Sequence, residues 1–164
     1  MSRIQRGFTL IEIMVVITIV AVLMGAVTLS FPRTGDNLLK EQAERFAALI
    51  SLAQDEAILQ SSELALFVNK TGYVFYRNQN SSWVPYSSRP FSQRTYPGGI
   101  TASTIVEGVD LDFKDNIRDA PQIIIFSSGE MTPFTYVFNY QNKSKITLEI
   151  SATGDIEKIL ELNE

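Results

Sequence analysis

The chain has 164 residues, with 14 Lys or Arg, 18 Asp or Glu, no His, no Cys and a net charge of −4. This length supports one globular domain behind a helical segment, and it leaves too little chain for a two-domain enzyme. Without His and Cys most zinc sites, Cys-His pairs and Ser-His-Asp triads are excluded, so we predict no catalytic residue, no metal and no cofactor. The acidic balance disfavours nonspecific nucleic-acid binding.

The N-terminus combines a short basic leader with a long apolar segment. Residues 1–7 contain Arg3 and Arg6, and the apolar segment at 8–31 has Glu12 as its only charge. A secretory signal peptide places its apolar region before the cleavage site, whereas here that region follows the leader and stays in the mature protein. As a helix it would extend roughly 36 Å, enough to cross an inner membrane once. The positive-inside rule keeps the leader cytoplasmic and directs the following chain to the periplasm.

Residues 6–12 read RGFTLIE. This run closely resembles the prepilin signature shared by type IV pilins and the pseudopilins of type II secretion systems. The resemblance implies cleavage after Gly7 by a membrane-bound prepilin peptidase and methylation of the new amino group on Phe8.

Glu12 is a carboxylate near the end of a segment predicted to span a membrane, and such a placement costs about 1–3 kcal/mol. A partner is therefore expected. The amino group of Phe8 in a neighbouring subunit, displaced along a filament axis, could pair with Glu12 in an apolar bundle where the two charges are weakly screened. The resemblance assigns Glu12 this role in assembly and register. The alternative is a glutamate that extends to the lipid headgroups.

The segment 32–62 is predicted to be an amphipathic helical stalk. Pro32 interrupts the helical pattern, which predicts a bend, and Asp36 is a candidate N-cap for the next helix. From 37 to 61 the apolar residues recur at helical spacing and trace one face that should cover a sheet. On the opposite side Glu41 and Arg45 are spaced for a weak ion pair. The predicted apolar face consists of Leu39, Phe46, Ile50, Ala53 and Ala57.

After residue 62 the apolar periodicity changes to two, which predicts a small antiparallel β domain over 63–164. Hairpin turns are predicted at 70–72 and 153–155, where glycine supplies the positive φ that such turns need. The uninterrupted apolar run at 123–126 predicts a central strand buried on both faces. The predicted strands are 64–69, 73–77, 100–105, 109–113, 123–127, 134–140, 145–151 and 156–162.

Residues 78–99 form a different kind of segment, rich in Ser, Asn, Arg and Pro and with little regular pattern. Trp83, Tyr86, Phe91 and Tyr96 are candidates for contact with a protein partner, because aromatic side chains on long loops are frequent hot spots. The alternative is that these rings fold back and seal the core. The sequence leaves both possibilities open.

The order of helix, β-hairpin, long loop, the segment 123–138 reading IIIFSSGEMTPFTYVF, and a final hairpin resembles minor pseudopilin H. The resemblance implies a pilin-like α+β fold, in which a long N-terminal helix, half transmembrane and half amphipathic, packs on a β-sandwich of two antiparallel sheets. It implies a structural subunit of the type II secretion system near the tip of the periplasmic pseudopilus, where it helps drive exoprotein export across the outer membrane. The implied partners are other minor pseudopilins, the major pseudopilin, the prepilin peptidase and the inner membrane.

Competing functions share parts of this pattern. A minor type IV pilin of the related H-like group, which primes pilus assembly, would use the same Phe8, Glu12 and stalk. A DNA-capturing pilin would present clustered Lys and Arg, whereas residues 140–164 contain three lysines and five acids. A tethered enzyme would need catalytic side chains that are missing. The acidic residues at 110–115 lack the EF-hand spacing, so no calcium site is predicted.

Overall fold

The computed structural model of the protein describes residues 9–28, 35–111, 121 and 123–162. The chain divides into two compact units, Met1–Arg33 and Thr34–Glu164. Within the described residues, the first unit contains helix α1, and the second contains helix α2 and ten strands. The elements are α1 Leu10–Thr28, α2 Gly35–Gln60, β1 Leu64–Asn69, β2 Gly72–Gln79, β3 Ser82–Pro85, β4 Arg94–Thr95, β5 Ile100–Val106, β6 Val109–Asp110, β7 Ile123–Ile125, β8 Phe134–Tyr140, β9 Ser144–Ile150 and β10 Ile156–Leu162.

Helix α1 is apolar on every side, and its side chains over residues 10–22 are exposed. Leu10, for example, is 80% exposed. Parts of the predicted span at 8–31 fall outside the described residues. In the portion that is described, no helix combines the length and the apolar character that crossing a membrane requires.

Helix α2 buries the apolar face that the sequence predicts. Every residue of that predicted face is fully buried, and the helix packs mainly on β8 and β9. On the solvent side, the Arg45 guanidinium lies 3.2 Å from the Glu41 carboxylate, which confirms the predicted ion pair. Such an exposed pair contributes only about 0.3–0.5 kcal/mol, so the helix is stabilised mostly by its buried face.

The start of α2 differs from the prediction. The helix begins at Gly35, so Asp36 lies inside its first turn instead of capping it. The Asp36 carboxylate accepts a hydrogen bond from the Ser144 hydroxyl, and this bond ties the first turn of the helix to the start of β9. The residues of the predicted bend at 32–34 lie outside the described residues.

The strands form two antiparallel sheets. Sheet A has the order β3-β2-β1-β7, with β4 also paired to β2, and sheet B has the order β10-β9-β8-β5-β6. The predicted β1–β2 hairpin is confirmed, because Asn69 pairs with Gly72. The predicted positive φ of its glycine is wrong, because Gly72 is the first residue of β2 and has no positive φ. The β9–β10 hairpin is confirmed as well, with Gly154 in its turn at a φ of +88°.

The prediction of a central strand at 123–126 is wrong. In the described part of the chain β7 pairs with β1 alone among the strands and lies at the edge of sheet A. Ile123 and Ile125 point into the core, whereas Ile124 is only half-buried. The backbone of Ile124 is also hydrogen-bonded to Thr132 in the following loop. The outer edge of β7 is therefore hydrogen-bonded to a loop and not to another strand.

The segment 78–99 contains more regular structure than its composition predicts. Strand β2 continues to Gln79 and turns back as β3 through Asn80 and Ser81, which both have positive φ, as a two-residue hairpin turn requires. Strand β4 then pairs with the start of β2. The approach is close, since a Cβ on Gly72 would lie 2.0 Å from the Arg94 carbonyl oxygen. Glycine is therefore required there.

Aromatic rings fill the space between α2 and the sheets. Phe46 stacks on Tyr136 with 4.2 Å between ring centroids. Tyr73 and Phe138 meet the same phenylalanine edge-on, at 5.1 Å and 5.7 Å. These four rings connect the helix to both sheets. Phe46 belongs to α2, Tyr73 belongs to β2 of sheet A, and Tyr136 and Phe138 belong to β8 of sheet B.

Candidate functional site

The first turn of α1 fixes the backbone around Glu12. The Glu12 amide donates a hydrogen bond to the Thr9 carbonyl oxygen at 3.1 Å, and its distance to the Thr9 hydroxyl oxygen is 3.4 Å. Thr9 therefore acts as the N-cap of α1. The spacing Thr-x-x-Glu is the sequence signature of a capping box, a signal that could have identified Thr9 from the sequence. Gly7 and Phe8, the predicted cleavage and methylation positions, lie outside the described residues.

Glu12 is the only charged residue of α1. Its neighbours Ile11 and Ile13 are exposed, as are the other apolar side chains of this helix over residues 10–22. Apolar side chains along a helix favour contact with other helices or with lipid, and a carboxylate among them would then lie in a medium that screens charge weakly. The chemistry available to α1 is therefore apolar packing with one charge to be paired.

Trp83 lies on β3, opposite Asn78 of β2, and is half-buried. It shares the outer surface of sheet A with Phe67 and Tyr76, whose rings are 4.5 Å apart. Phe67 and Tyr76 alternate with core residues along β1 and β2, so they point away from the core. Trp83 is the register partner of Asn78, which lies two residues from Tyr76 on the same face of β2, so Trp83 points the same way. We call Phe67, Tyr76 and Trp83 the outer aromatic face. A partly accessible aromatic surface of this kind suits contact with another protein.

Tyr86 joins the segment after β3 to the C-terminal part of α2. Its hydroxyl donates a hydrogen bond to Glu56 Oε1 at 2.6 Å, and the Arg77 guanidinium lies 5.5 Å from its ring centroid. The hydrogen bond to Glu56, aided by burial, raises the pKa of Tyr86 above its ordinary value. Beside these side chains is a small polar cavity of about 150 Å³, also lined by Asn78. Tyr86 thus has a structural contact of its own and exposes only part of its ring.

Phe91 and Tyr96 lie in the core, at 2% and 7% exposure. The Phe91 ring packs against Phe75 at 5.2 Å. The Tyr96 hydroxyl is 2.5 Å from the Tyr136 hydroxyl, and burial is the main reason why the pKa of each tyrosine lies above its ordinary value. These two rings therefore fold back and seal the core, which is the second of the two alternatives that the sequence left open.

Substitutions at Trp83 and Tyr96 are expected to distinguish contact with a partner from packing in the core. Tyr96→Ala removes a buried ring and leaves the Tyr136 hydroxyl without its partner, so the free energy of unfolding should fall by about 3–5 kcal/mol. Trp83→Ala should lower it by less than about 1 kcal/mol, because the ring is half-exposed, yet it should weaken binding to partner subunits. Urea unfolding and pairwise binding assays measure both effects. Equal losses of stability for the two variants would contradict this assignment.

Within the described residues, no group of three or more carboxylates is arranged to hold a metal ion. Of the acidic residues at 110–115, Asp110 lies on β6 and is exposed. Asp112 and Asp115 lie outside the described residues. The features that can bring this chain into contact with others are thus α1 with Glu12 and the surfaces of the β domain.

Comparison with known proteins links both units to one system. Residues 42–154 match the family described as Type II transport protein GspH, and residues 2–28 match the prokaryotic N-terminal methylation motif. Type II secretion system protein H of Pseudomonas aeruginosa is 32% identical over 163 residues, with 93% of each chain covered. The protein of the same name from Pectobacterium carotovorum is 27% identical over 176 residues, with 93% of this chain and 92% of that one covered.

Solved structures show the same architecture. The minor pseudopilin EpsH from the type 2 secretion system of Vibrio cholerae superposes with a TM-score of 0.64 at 20% identity, covering 77% of this chain and 98% of that one. The solution structure of Escherichia coli GspH gives a TM-score of 0.60 at 22% identity, covering 75% and 88%. At these identities the likeness concerns the fold, and it confirms the predicted α+β, pilin-like arrangement of a helix with two antiparallel sheets.

Proposed function

This chain belongs to the type II transport protein GspH family, and from that membership we propose that it is a minor pseudopilin near the tip of the periplasmic pseudopilus. The family consists of secretion-system subunits and is not an enzyme family. The observation that carries the proposal is the pair of matches, GspH over 42–154 and the N-terminal methylation motif over 2–28. Together these matches support the combination of a methylated N-terminus and an H-type β domain in one chain.

The N-terminal part supplies maturation and anchoring. We propose that a prepilin peptidase removes residues 1–7 after Gly7 and that the new amino group of Phe8 is methylated. The match of residues 2–28 to the methylation motif supports this assignment. The mature chain is then anchored in the inner membrane by the apolar segment, with residues 32–164 in the periplasm. The asymmetry of Arg3 and Arg6 before the apolar segment supports this orientation.

The mechanism is mechanical. The apolar helix packs into a bundle with the corresponding helices of neighbouring subunits, and Glu12 pairs with the Phe8 amino group of one neighbour, which sets the axial position. The β domain contacts other minor pseudopilins and joins them to the shaft of the major pseudopilin. The half-buried Trp83 on the outer aromatic face supports the proposal of such a contact. As subunits are added from the membrane, the growing pseudopilus pushes exoproteins towards the outer-membrane channel.

Deleting the gene tests this function. We expect loss of exoproteins from the culture medium, normal surface pili and restored secretion with a plasmid copy. Protein gels of the medium and electron microscopy of the cells measure the two outcomes. Lost pili with normal secretion would refute the proposal and identify the chain as a minor type IV pilin.

A further inference from the structure

An open groove of about 570 Å³ lies at one end of sheet B, where the β5–β6 turn, the start of β8 and the β9–β10 hairpin meet. Ile105, Pro133 and Ile156 contribute apolar surface to it. None of the described residues that line this groove is Lys or Arg. Its acidic residues, all exposed, are Glu107, Glu149, Asp155 and Glu157.

Two of these carboxylates face each other directly. Glu149 of β9 and Glu157 of β10 are register partners in an antiparallel pair. Leu148 and Ile150, which flank Glu149 on β9, are buried, so Glu149 points to the outer surface of the sheet. Its register partner Glu157 points the same way. Like charges directly opposite each other destabilise a strand pair. The hairpin therefore carries a charge pattern that opposes its own stability.

The β9–β10 turn beside the groove is held in place by hydrogen bonds. Gln54 of α2 donates hydrogen bonds from its amide nitrogen to the Thr153 carbonyl oxygen at 2.8 Å and to the Gly129 carbonyl oxygen at 2.6 Å. A hydrogen-bonded network of Ser151, Thr153 and Asp155 closes the turn itself. The turn, whose Ser151 and Asp155 line the groove, is thus tied both to itself and to the helix.

The groove also lies at the end of the second unit that is remote from the first turn of α2. Gln54, which contacts the β9–β10 turn, lies roughly 28 Å along the helix axis from Gly35. The groove therefore lies away from the residues that begin the second unit.

We propose that this groove docks a basic segment of another subunit of the same secretion assembly. An apolar side chain of that segment would cover Ile105 and Pro133, while its Lys or Arg side chains would pair with Glu149 and Glu157. Opposite charge at an interface steers association and fixes register, and the paired cations would also remove the repulsion between the two glutamates. The inference rests on the proposed function, because it takes the partner from the pseudopilus.

The double variant E149Q/E157Q tests the proposal in the full-length chain. The probes are the other minor pseudopilins and the major pseudopilin of the same system, each purified and assayed separately at 50 mM and 300 mM salt. We expect one of them to bind the variant at least tenfold more weakly than the wild type, with a flatter salt dependence. The melting temperature of the variant should rise by about 2 °C, since the cross-strand repulsion is gone.

The matched control is D55N/E130Q, which removes two exposed carboxylates that do not line the groove. It should bind like the wild type. Unchanged affinity of E149Q/E157Q for every probe would overturn the groove assignment, and so would an equal loss of affinity in the control. Loss of self-association alone would assign the groove to a second copy and overturn the proposed partner. Normal secretion in the deletion strain would instead refute the proposed function, whatever the binding result.

Discussion

Cells that produce the Glu12→Val chain are expected to secrete at least tenfold less exoprotein than wild-type cells, although the leader is still removed. In the proposed bundle Glu12 neutralises the Phe8 amino group of a neighbour. Removing one member of a buried ion pair leaves the other charge uncompensated, at a cost of about 3–5 kcal/mol. Each 1.4 kcal/mol corresponds to about tenfold in an equilibrium constant, so entry of the variant into the filament should fall by about a hundredfold or more.

Immunoblots of the processed chain and gels of the culture medium measure this outcome. Ile11→Val is the matched control, because it changes the adjacent exposed side chain and leaves the charge in place. Gly7→Ala should block processing and provides the size of the precursor. Normal secretion with Glu12→Val would exclude the proposed ion pair, whereas an unprocessed Glu12→Val chain would show that the residue acts in maturation.

Above pH 10 the folded domain is expected to lose up to about 4 kcal/mol of stability per pH unit. Burial raises the pKa of Tyr73, Tyr96 and Tyr136 above the ordinary value of 10.0. In the unfolded chain these tyrosines ionise near pH 10, whereas in the folded chain they keep their protons to higher pH. The folded state therefore binds more protons in this window, and its stability falls as pH rises. Below about pH 9 all three are protonated in both states, and they contribute no pH dependence.

Urea unfolding followed by circular dichroism between pH 8 and 11.5 measures this slope. Tyr96→Phe should reduce the slope above pH 10, whatever it does to stability at neutral pH, because one of the three buried tyrosines is gone. The half-buried Tyr86, whose pKa is also raised, stays in place. Trp83→Phe, which leaves every tyrosine in place, should keep the wild-type slope. A free energy of unfolding that is constant between pH 9 and 11.5 would contradict the assignment.

Local sequence patterns correctly predicted the elements that keep the same environment along their whole length. The face of α2 followed from the helical spacing of residues such as Phe46 and Ile50, since a single continuous surface covers that side of the helix. The hairpin at Gly154 followed from a turn whose glycine has a positive φ. The hairpin at Gly72 was predicted on the same argument, but Gly72 is required by the close approach of Arg94 and not by the turn backbone. The arrangement of two sheets against a helix, by contrast, was predicted from the resemblance and not from periodicity.

The errors occurred where distant contacts decide the outcome. The run at 123–126 suggested a central strand, but the outer edge of β7 is hydrogen-bonded to the loop at 130–132 and not to another strand, and no local pattern reveals that partner. Strand β3 was missed because the turn at Asn80 and Ser81 lacks glycine, although asparagine tolerates positive φ better than most residues. The candidate contacts divide similarly. The Phe91 ring packs on Phe75 of β2, and the Tyr96 ring packs on Phe138 of β8, and the local sequence around 91–96 reveals neither contact.

The alternation of the chain between the two sheets has a consequence for the order of folding. Sheet A begins with β1 and β2, but its last strand, β7, follows β5 and β6 of sheet B, and the chain then returns to sheet B for β8. Leu66 must wait for its register partner Ile123. Pairing at such long sequence separation slows folding and leaves strand edges open in the meantime. Sheet A is thus complete only after residue 125 has been synthesised, and sheet B needs the strands that follow it. In the proposed periplasmic orientation, export of the chain therefore precedes folding and is not opposed by it.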